Sequence, residues 1–476
     1  MWENKTNDLL LTRTQAARWG LPLEAVAKLP DRLKSFWLSY GRSARTRTRD
    51  TRKYGEVYLS GLLRMETKRN IAGIARTGKV SVQNMQHFMS QSPWSAEAMI
   101  ETMQTAVAQR PELAGGMLIL DESADEKSGE KTVGTSRQYN GRQGKVDQCQ
   151  VGTFLTYVHN GIWTWVDGEI FIPERWFSAE YVARRQQAGI PDEWEFSTKI
   201  QLGWAMIERA MIHGLPFVAV AFDSLYGRSA WLLNQCRNAQ IEFYADIPET
   251  TPVYLHPPTL NEEGQVVGQT AVAVKTLSKS LDTHWQKVDL RSADCGRLRA
   301  DFARCPVWTL QADGTVCAET LLMRRNTKRC LYSLTNAAPE LPLETLAFRK
   351  SERYFVERSI QDAKSELGWG DLQAIKLQAW QHHLALTLLA SWFIAETRLD
   401  WRKRYPPDPS LVRDYDREDI QMDSVPELSV ANVRELLRAT LPLPQLSLDE
   451  AAILVVSHLD NRTRSRRSKL KKQRGL

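Results

Sequence analysis

Two short apolar runs that each end at an aspartate most constrain how this 476-residue chain can fold. The first is Gly116–Leu120 (GMLIL), followed by Asp121, and the second is Phe217–Phe222 (FVAVAF), followed by Asp223. Continuous apolar runs of this length, bounded by Gly, Pro or Asp, are typical of buried central strands of an α/β sheet. Ligands bind where neighbouring strands of such a sheet end. We therefore expect the two aspartates to lie close together.

The other strands and helices predicted around these two runs follow one another in an order that is typical of a known fold. We expect strands at Val151–Val158, Ile162–Val166 and Ile241–Ala245, and helices at Glu193–His213 and Ser229–Ala239. Asn160-Gly161, between the first two strands, is a strong hairpin signal. The order strand, strand, strand, helix, strand, helix, strand is that of a ribonuclease-H-like core that lacks only its final helix.

The rest of the chain predicts helical N- and C-terminal regions and a β-rich insertion. The expected regions are a helical DNA-binding region at 1–112, the first part of the core at 113–247, the insertion at 248–345, the last part of the core at 346–405, and a helical region with a basic tail at 406–476. Within the insertion we predict strands at Gln269–Lys275, Val307–Gln311 and Thr315–Met323. The fold class is therefore α/β, with a ribonuclease-H-like core interrupted by a β-rich insertion.

The N-terminal region carries a weak DNA-binding signal. Helices predicted at Thr67–Ala75 and Ser81–Met89 flank the turn Gly78-Lys79, and a further helix is predicted at Ala96–Ala108. Residues 42–52 next to them contain five arginines. Two short helices about a tight turn, beside such a segment, resemble a helix-turn-helix DNA reader, although any small helical bundle gives the same pattern.

A third acid lies where the missing final helix of the core is expected. Glu357 follows Arg353 by four residues and precedes Lys364 by seven, so all three fall along one face of a helix predicted at Arg353–Leu367. An exposed helix with an Arg–Glu pair is the plainer interpretation, and the two aspartates taken singly are more often helix caps. The helix stands where the last helix of the core is expected, and this placement favours a single site that contains all three acids. Carboxylates brought together need a cation between them, and their oxygens suit Mg²⁺ or Mn²⁺.

These motifs together resemble the DDE transposases of bacterial insertion sequences, in the group with a Y-x2-R-x3-E-x6-K signature. Arg353, Glu357 and Lys364 match that signature, whereas Lys350 stands where tyrosine is expected. The resemblance is closest to the insertion-sequence-701 group. It is carried by Leu120-Asp121-Glu122, by Val133–Gly141 (VGTSRQYNG), by Gly144-Lys145 with Cys149-Gln150, and by Phe222–Gly227 (FDSLYG).

The resemblance implies a metal-dependent DNA transposase. It implies that Asp121, Asp223 and Glu357 hold two Mg²⁺ ions, which Mn²⁺ can replace, and that water cleaves the transposon end before the freed 3′-OH attacks target DNA. It implies double-stranded DNA as partner, through terminal inverted repeats and a target, and a homodimer bridging two ends. The side chains expected to contact DNA are Arg353, Lys364, Lys350, Arg137, Arg142, Lys145, Tyr226 and Trp308, although packing in the sheet is the plainer interpretation of Trp308.

Composition agrees with this interpretation but does not select it. The net charge of +7 and the pI of 9.0 favour a polyanionic partner, and residues 462–474 hold eight Lys or Arg and no acid. The six cysteines form no C-x-x-C pair, so we expect no structural zinc site and a bacterial cytoplasmic protein that associates with the nucleoid when bound to DNA. The alternatives are a nuclease of the same fold without strand transfer, an inactive transposase-derived DNA-binding protein, and a basic α/β protein without chemistry at these acids.

Overall fold

The two apolar runs form adjacent parallel strands at the centre of one mixed sheet. A computed structural model of the chain describes residues 23–127, 129–140, 144–280, 283–293, 296–311, 313–325, 329–406 and 427–444, with eight further residues between 455 and 467. Its strands are β1 (Gly116–Glu126), β2 (Ser136–Asn140), β3 (Lys145–His159), β4 (Ile162–Phe171), β5 (Phe217–Phe222), β6 (Glu242–Ile247), β7 (Pro252–Val253), β8 (Thr259–Leu260), β9 (Val266–Val267), β10 (Val272–Ala273), β11 (Gln286–Ala293), β12 (Gly296–Leu310), β13 (Val316–Arg325) and β14 (Cys330–Thr335).

Helices precede, connect and follow these strands. In chain order they are α1 (Leu23–Ala27), α2 (Leu29–Tyr40), α3 (Arg52–Arg64), α4 (Ile71–Thr77), α5 (Val82–Ser90), α6 (Ala96–Ala108), α7 (Val182–Ala188), α8 (Lys199–Ile212), α9 (Ser224–Gly227), α10 (Ala230–Asn238), α11 (Val274–Leu277), α12 (Leu343–Ser351), α13 (Tyr354–Ser365), α14 (Leu377–Arg404) and α15 (Val430–Thr440). No helix among the described residues is long and apolar enough to span a bilayer.

Five strands have the predicted ribonuclease-H-like arrangement, in the spatial order β4-β3-β1-β5-β6. β1 is antiparallel to β3 and parallel to β5, and β5 is parallel to β6. The hairpin between β3 and β4 turns at Asn160 and Gly161, whose φ angles of 47° and 73° are those that a tight two-residue hairpin turn requires. The fold class expected from the order of the elements is therefore correct.

The segment between β6 and α12 adds its long strands to this same sheet. β14 pairs antiparallel with β6, and β13, β12 and β11 follow in that order towards the sheet's edge. The two-residue strands pair outside the main sheet, β7 with β10 and β8 with β9. The sheet that carries both apolar runs is therefore continuous with the strands of this segment.

α13 is fixed to the sheet by a buried hydroxyl. The Ser359 hydroxyl donates to the Val356 carbonyl at 2.8 Å and accepts from Trp165 Nε1 at 3.1 Å. Because its one proton is used, the Thr156 hydroxyl 2.9 Å away is the donor of the third contact. The ring of Trp163 stacks on Phe355 at 5.1 Å and closes the contact between β4 and α13.

α14 is buried on nearly all sides by β4 and the N-terminal helices, which explains its apolar sequence. His382 and His383, adjacent on this helix, point to different neighbours and are both buried. His382 lies within hydrogen-bond distance of the carbonyls of Met89 and Trp94, and His383 of the Tyr58 hydroxyl. Both histidines are therefore packing residues. Their adjacency on one helix predicts this, because adjacent helical residues point in different directions.

Two helices begin later than their sequence pattern predicts, because capping side chains set their first turns. The helix expected at Thr67–Ala75 begins at α4, where the Asn70 side chain accepts from a backbone N–H of the first turn. The helix expected at Glu193–His213 begins at α8, where Thr198 forms a capping box.

The prediction that Asp121 follows a strand is wrong. β1 continues past Asp121 to Glu126 because it keeps its pairing with β3 after β5 has ended at Phe222. Asp121 therefore lies inside β1, at the level where β5 stops. The predicted strand Gln269–Lys275 is also wrong over most of its length, because only Val272–Ala273 is extended and α11 follows at once.

We expect Ser359→Ala to lower the free energy of unfolding by about 1–3 kcal/mol, because it leaves the buried Trp165 N–H without its acceptor. Ser365→Ala, on the exposed side of the same helix, is the matched control and should change it by less than about 0.5 kcal/mol. Urea denaturation measures both. Equal effects of the two substitutions would show that the buried hydroxyl does not hold α13 on the sheet.

Candidate active site

Asp121 projects from β1 towards α13. Alternate residues Met117 and Ile119 of the strand belong to the same buried cluster as Val356 of α13, and Asp121 continues that face. Its side chain is 18% exposed, and its Oδ2 lies 3.6 Å from Arg353 Nη1. Burial raises the pKa of Asp121 to about 7; the Arg353 charge opposes this rise, and the charge of Asp223 adds to it. Asp121 is thus a crowded, mostly buried carboxylate.

Asp223 follows β5 directly and caps α9. Its Oδ1 accepts hydrogen bonds from the backbone N–H groups of Leu225, at 2.9 Å, and Tyr226, at 3.5 Å. Gly227 ends this short helix so close to β6 that a Cβ there would overlap the carbonyl oxygen of Asp246. Asp223 is therefore both a helix cap and an acid at a strand end, and glycine allows α9 to approach the next strand.

Glu357 lies in the first turn of α13 with 64% of its side chain exposed. Its Oε1 is 3.5 Å from Arg353 Nη2, the i,i+4 contact that the sequence spacing predicts. Glu357 thus reaches the same guanidinium as Asp121. The acids do not converge on one point, however, because no three His, Cys, Asp or Glu side chains in the described part of the chain are placed to hold a metal ion.

Arg353, which precedes α13, joins these acids. Its Nη1, Nε and Nη2 face three different carboxylates, those of Asp121 at 3.6 Å, Asp246 at 3.0 Å and Glu357 at 3.5 Å. Burial lowers the pKa of Arg353, but Asp246, Asp121, Glu357 and Asp223 together outweigh burial and raise it. One guanidinium therefore supplies the positive charge that this group of carboxylates requires.

Asp246, at the end of β6, is a member of the site that the sequence reasoning missed. Its Oδ1 lies 2.7 Å from Lys350 Nζ and accepts from the Ser333 hydroxyl at 2.7 Å, while its Oδ2 faces Arg353. Burial pushes the pKa of Asp246 up, but Lys350 and Arg353 outweigh it and hold the pKa below its usual value. The signal was present, because Asp246 follows a predicted strand as Asp223 does.

Three side chains expected to contact DNA are engaged inside the protein. Lys350 is 9% exposed and pairs with Asp246. Lys364 Nζ lies 2.9 Å from Asp125 and donates to the Ala124 carbonyl at 2.7 Å, which ties α13 to β1. Tyr226 is fully buried, and its hydroxyl donates to Glu122 at 3.3 Å. In this structure these three side chains are structural contacts of the site.

The other expected DNA contacts lie outside the acid group. Arg137 is exposed on β2, and Lys145 is exposed at the start of β3, 3.2 Å from Asp147. Trp308 is half-buried on β12, where its backbone pairs with Tyr254. Arg142 lies outside the described residues. DNA contact by these residues stays a prediction.

The ligand atoms that these acids offer are of the type that binds a divalent cation. Asp121, Asp223 and Glu357 offer carboxylate oxygens, the ligands that Mg²⁺ and Mn²⁺ prefer. Burial and the neighbouring Asp223 raise the pKa of Asp121, which shows charge crowding that a cation relieves. The positive charge among them here is that of Arg353.

Sequence comparison agrees with the class of protein that this fold and these acids define. The profile of the DDE superfamily endonucleases matches residues 43–293, just over half of the chain, and the chain belongs to that family. The matched residues include Asp121 and Asp223. Glu357 lies beyond them, so its assignment depends on the signature around it and on its contact with Arg353.

Within this family the chain is similar to a transposase of the IS701 type. It is 31% identical over 181 residues to a probable transposase for insertion sequence element IS701 from Microchaete diplosiphon. The match covers 37% of this chain and 43% of that protein, less than half of either. The expected resemblance to DDE transposases of the insertion-sequence-701 type is confirmed.

We expect Asp246→Asn to lower the free energy of unfolding by about 2–4 kcal/mol, because it leaves the buried Lys350 ammonium without a carboxylate. The double variant Asp246→Asn/Lys350→Met removes both partners and should recover at least half of that loss. Urea denaturation of the wild type and the variants measures this. A double variant no more stable than Asp246→Asn alone would contradict the pairing.

The buried Glu352, 5% exposed, should make stability depend on pH. Burial raises the pKa of Glu352 from 4.5 to about 7, against the opposing charge of Arg291. Because the folded-state pKa is raised, ionisation destabilises the fold as pH rises from about 4.5 to about 7. Glutamine does not ionise, so Glu352→Gln does not lose stability in this way. The free energy of unfolding of the variant relative to wild type should therefore increase by about 2 kcal/mol between pH 5.5 and pH 8.

Thermal or urea unfolding of Glu352→Gln at the two pH values measures this growth. Glu435→Gln, at an exposed position of α15, is the control and should show no such dependence. A constant difference from wild type at both pH values would mean that Glu352 does not titrate in this range.

Proposed function

We propose that the protein is a DNA transposase that cleaves the phosphodiester at a transposon end with water and then joins the freed 3′-OH to target DNA. The observation that supports this most is that the guanidinium of Arg353 contacts both Asp121 and Glu357, while Asp223 ends the strand next to β1, close enough for its charge to raise the pKa of Asp121. The family to which the chain belongs supports the endonuclease step. The similarity to a probable IS701 transposase supports the joining step.

Asp121, Asp223 and Glu357 are the residues that would hold Mg²⁺. When bound, this cation activates a water and neutralises charge on the leaving oxygen. Phosphoryl transfer otherwise needs mainly positioning and charge, which this chain's own side chains can provide. Arg353 has the planar fork that binds phosphate oxygens in pairs, and its Nε contact with Asp246 fixes where that fork lies.

Two neighbouring contacts support the same geometry. Lys364, bound to Asp125 and the Ala124 carbonyl, fixes α13 along β1 and so fixes the height of Glu357 above the sheet. Gly227 lets α9 lie against β6 and keeps Asp223 beside Asp246. Both residues thus position the acids.

The substrate and assembly follow from the same proposal. Double-stranded DNA bearing terminal inverted repeats would be bound through the N-terminal helical region, with the basic C-terminal tail contributing phosphate contacts. A homodimer would bring two ends together for cut-and-paste transposition in the bacterial cytoplasm. The similarity to the IS701 transposase supports these points, and it spans less than half of that protein.

We expect purified protein to nick labelled transposon-end DNA at its boundary and to join it to a target plasmid in Mg²⁺, with Mn²⁺ able to replace it. Asp223→Ala and Glu357→Gln should each lower both activities at least about 100-fold, because each removes a metal ligand without removing DNA binding. Glu208→Gln, at an exposed position of α8, is the matched control and should keep full activity.

The same assay separates the alternatives. Cleavage without joined products would show a nuclease of this fold without strand transfer. Binding without cleavage would show an inactive DNA-binding relative. Cleavage that survives both substitutions would overturn the assignment of the site.

A further inference from the structure

One exposed surface of the N-terminal helices has features that the proposed nuclease site does not use. α4, the four-residue turn Gly78–Ser81 and α5 form a helix-turn-helix, and α4 packs against α3 so closely that a Cβ on Gly61 would lie 2.8 Å from Ile74. α5 is held by the buried side chains Met85 and Phe88. These contacts fix the opposite face of α5 towards solvent.

The outward face of α5 carries only polar side chains, none of them acidic. They are Gln83, Asn84, Gln86 and His87, all exposed, and α5 contains no acid. Amide side chains present a donor and an acceptor side by side, which is the pattern that pairs with N6 and N7 of adenine in the major groove. An α-helix fits the major groove of B-form DNA. The residue types of this face are therefore those of a base-reading helix.

A basic turn lies beside this face. Thr46 and Arg49 close the turn by reciprocal hydrogen bonds, with Arg49 N–H donating to the Thr46 hydroxyl at 3.1 Å and the Thr46 hydroxyl donating to the Arg49 carbonyl. Arg47, Arg49 and Lys53 are exposed, whereas the guanidinium of Arg52 is taken up by Asp50. The turn therefore presents cations from a fixed backbone, as phosphate contacts require.

The turn and the start of α3 line one side of a groove, and α5 lines the other. Arg49, Lys53 and Tyr54 lie on one side of a cavity of about 680 Å³, and Gln83 and His87 lie on the other. The two sides are linked, because Asn84 Nδ2 donates to the Tyr54 hydroxyl at 3.0 Å. Polar side chains and cations thus face one concave surface, and Asp50, the acid that also lines it, is bound to Arg52. Base edges and backbone phosphates call for this combination of polar side chains and cations.

We propose that α5 enters the major groove of B-form DNA and reads adenines through Gln83 and Gln86, while Arg47, Arg49 and Lys53 bind phosphates of the same site. The inference depends on the proposed function only in taking DNA as the substrate. Its test measures binding without Mg²⁺, so its failure is distinguishable from failure of the nuclease assignment.

The full-length protein is used to select binding sequences from a random duplex library of about 20 base pairs, and affinities are then measured by fluorescence anisotropy. We expect wild type to select a motif with adenines at fixed positions. Gln83→Ala/Gln86→Ala should lower the preference for that motif over a scrambled duplex by about 5- to 150-fold for each adenine that the variant no longer reads. Gln186→Ala/Gln187→Ala, two exposed glutamines of α7, is the matched control and should keep the full preference.

The basic turn should affect binding in a different way. Arg47→Ala should weaken binding to the selected and scrambled duplexes equally and reduce the slope of log affinity against log salt concentration by about 1. Arg175→Ala, an exposed arginine outside this surface, should leave the slope unchanged. Circular dichroism confirms that each variant is folded. The proposal is overturned if wild type selects no motif, if the Gln83/Gln86 variant keeps the wild-type preference, or if Arg47→Ala leaves the salt dependence unchanged.

Discussion

The contact of one guanidinium with three carboxylates is the interaction on which the site depends. Carboxylates held close together in a partly buried site repel one another, so Asp121, Asp246 and Glu357 need a cation among them. Arg353 supplies that charge through its three nitrogens. Because Arg353 directly precedes α13, these contacts hold the first turn of the helix, and with it Glu357, against β1 and the end of β6.

The sheet brings the remaining acids to this guanidinium through its strand lengths. β5 ends one pair before Asp121, so Asp223 turns off the sheet into α9 while β1 continues. β6 ends at the same edge, and pairing with β14 places Ser333 against Asp246. The strands after β6 thus take part in the site, because one of them orients the acid that holds Arg353 and Lys350.

The sequence predicts those features that depend on local pattern. Apolar runs identified β1 and β5, Asn160-Gly161 identified the hairpin, and the spacing of four residues predicted the contact between Arg353 and Glu357. These features depend on backbone geometry and on neighbours along one helix.

Contacts between side chains that are far apart in the sequence could not be predicted in the same way. Lys350 and Lys364 look like free cations in the sequence, but β6 brings Asp246 to the first and β1 brings Asp125 to the second. Tyr226 follows Asp223 closely in sequence, yet the short helix α9 turns it into the core. Such partners are set by how α13 and α9 cross the sheet, which helical spacing alone does not determine.

The most direct test of the site is the position of Mn²⁺ in a crystal of the protein, located by its anomalous scattering. We expect Mn²⁺ to contact Asp121, Asp223 and Glu357, with Arg353 withdrawn from Asp121 and Glu357 but still in contact with Asp246. Mn²⁺ bound elsewhere, or Arg353 unchanged between Asp121 and Glu357 at saturating Mn²⁺, would contradict it.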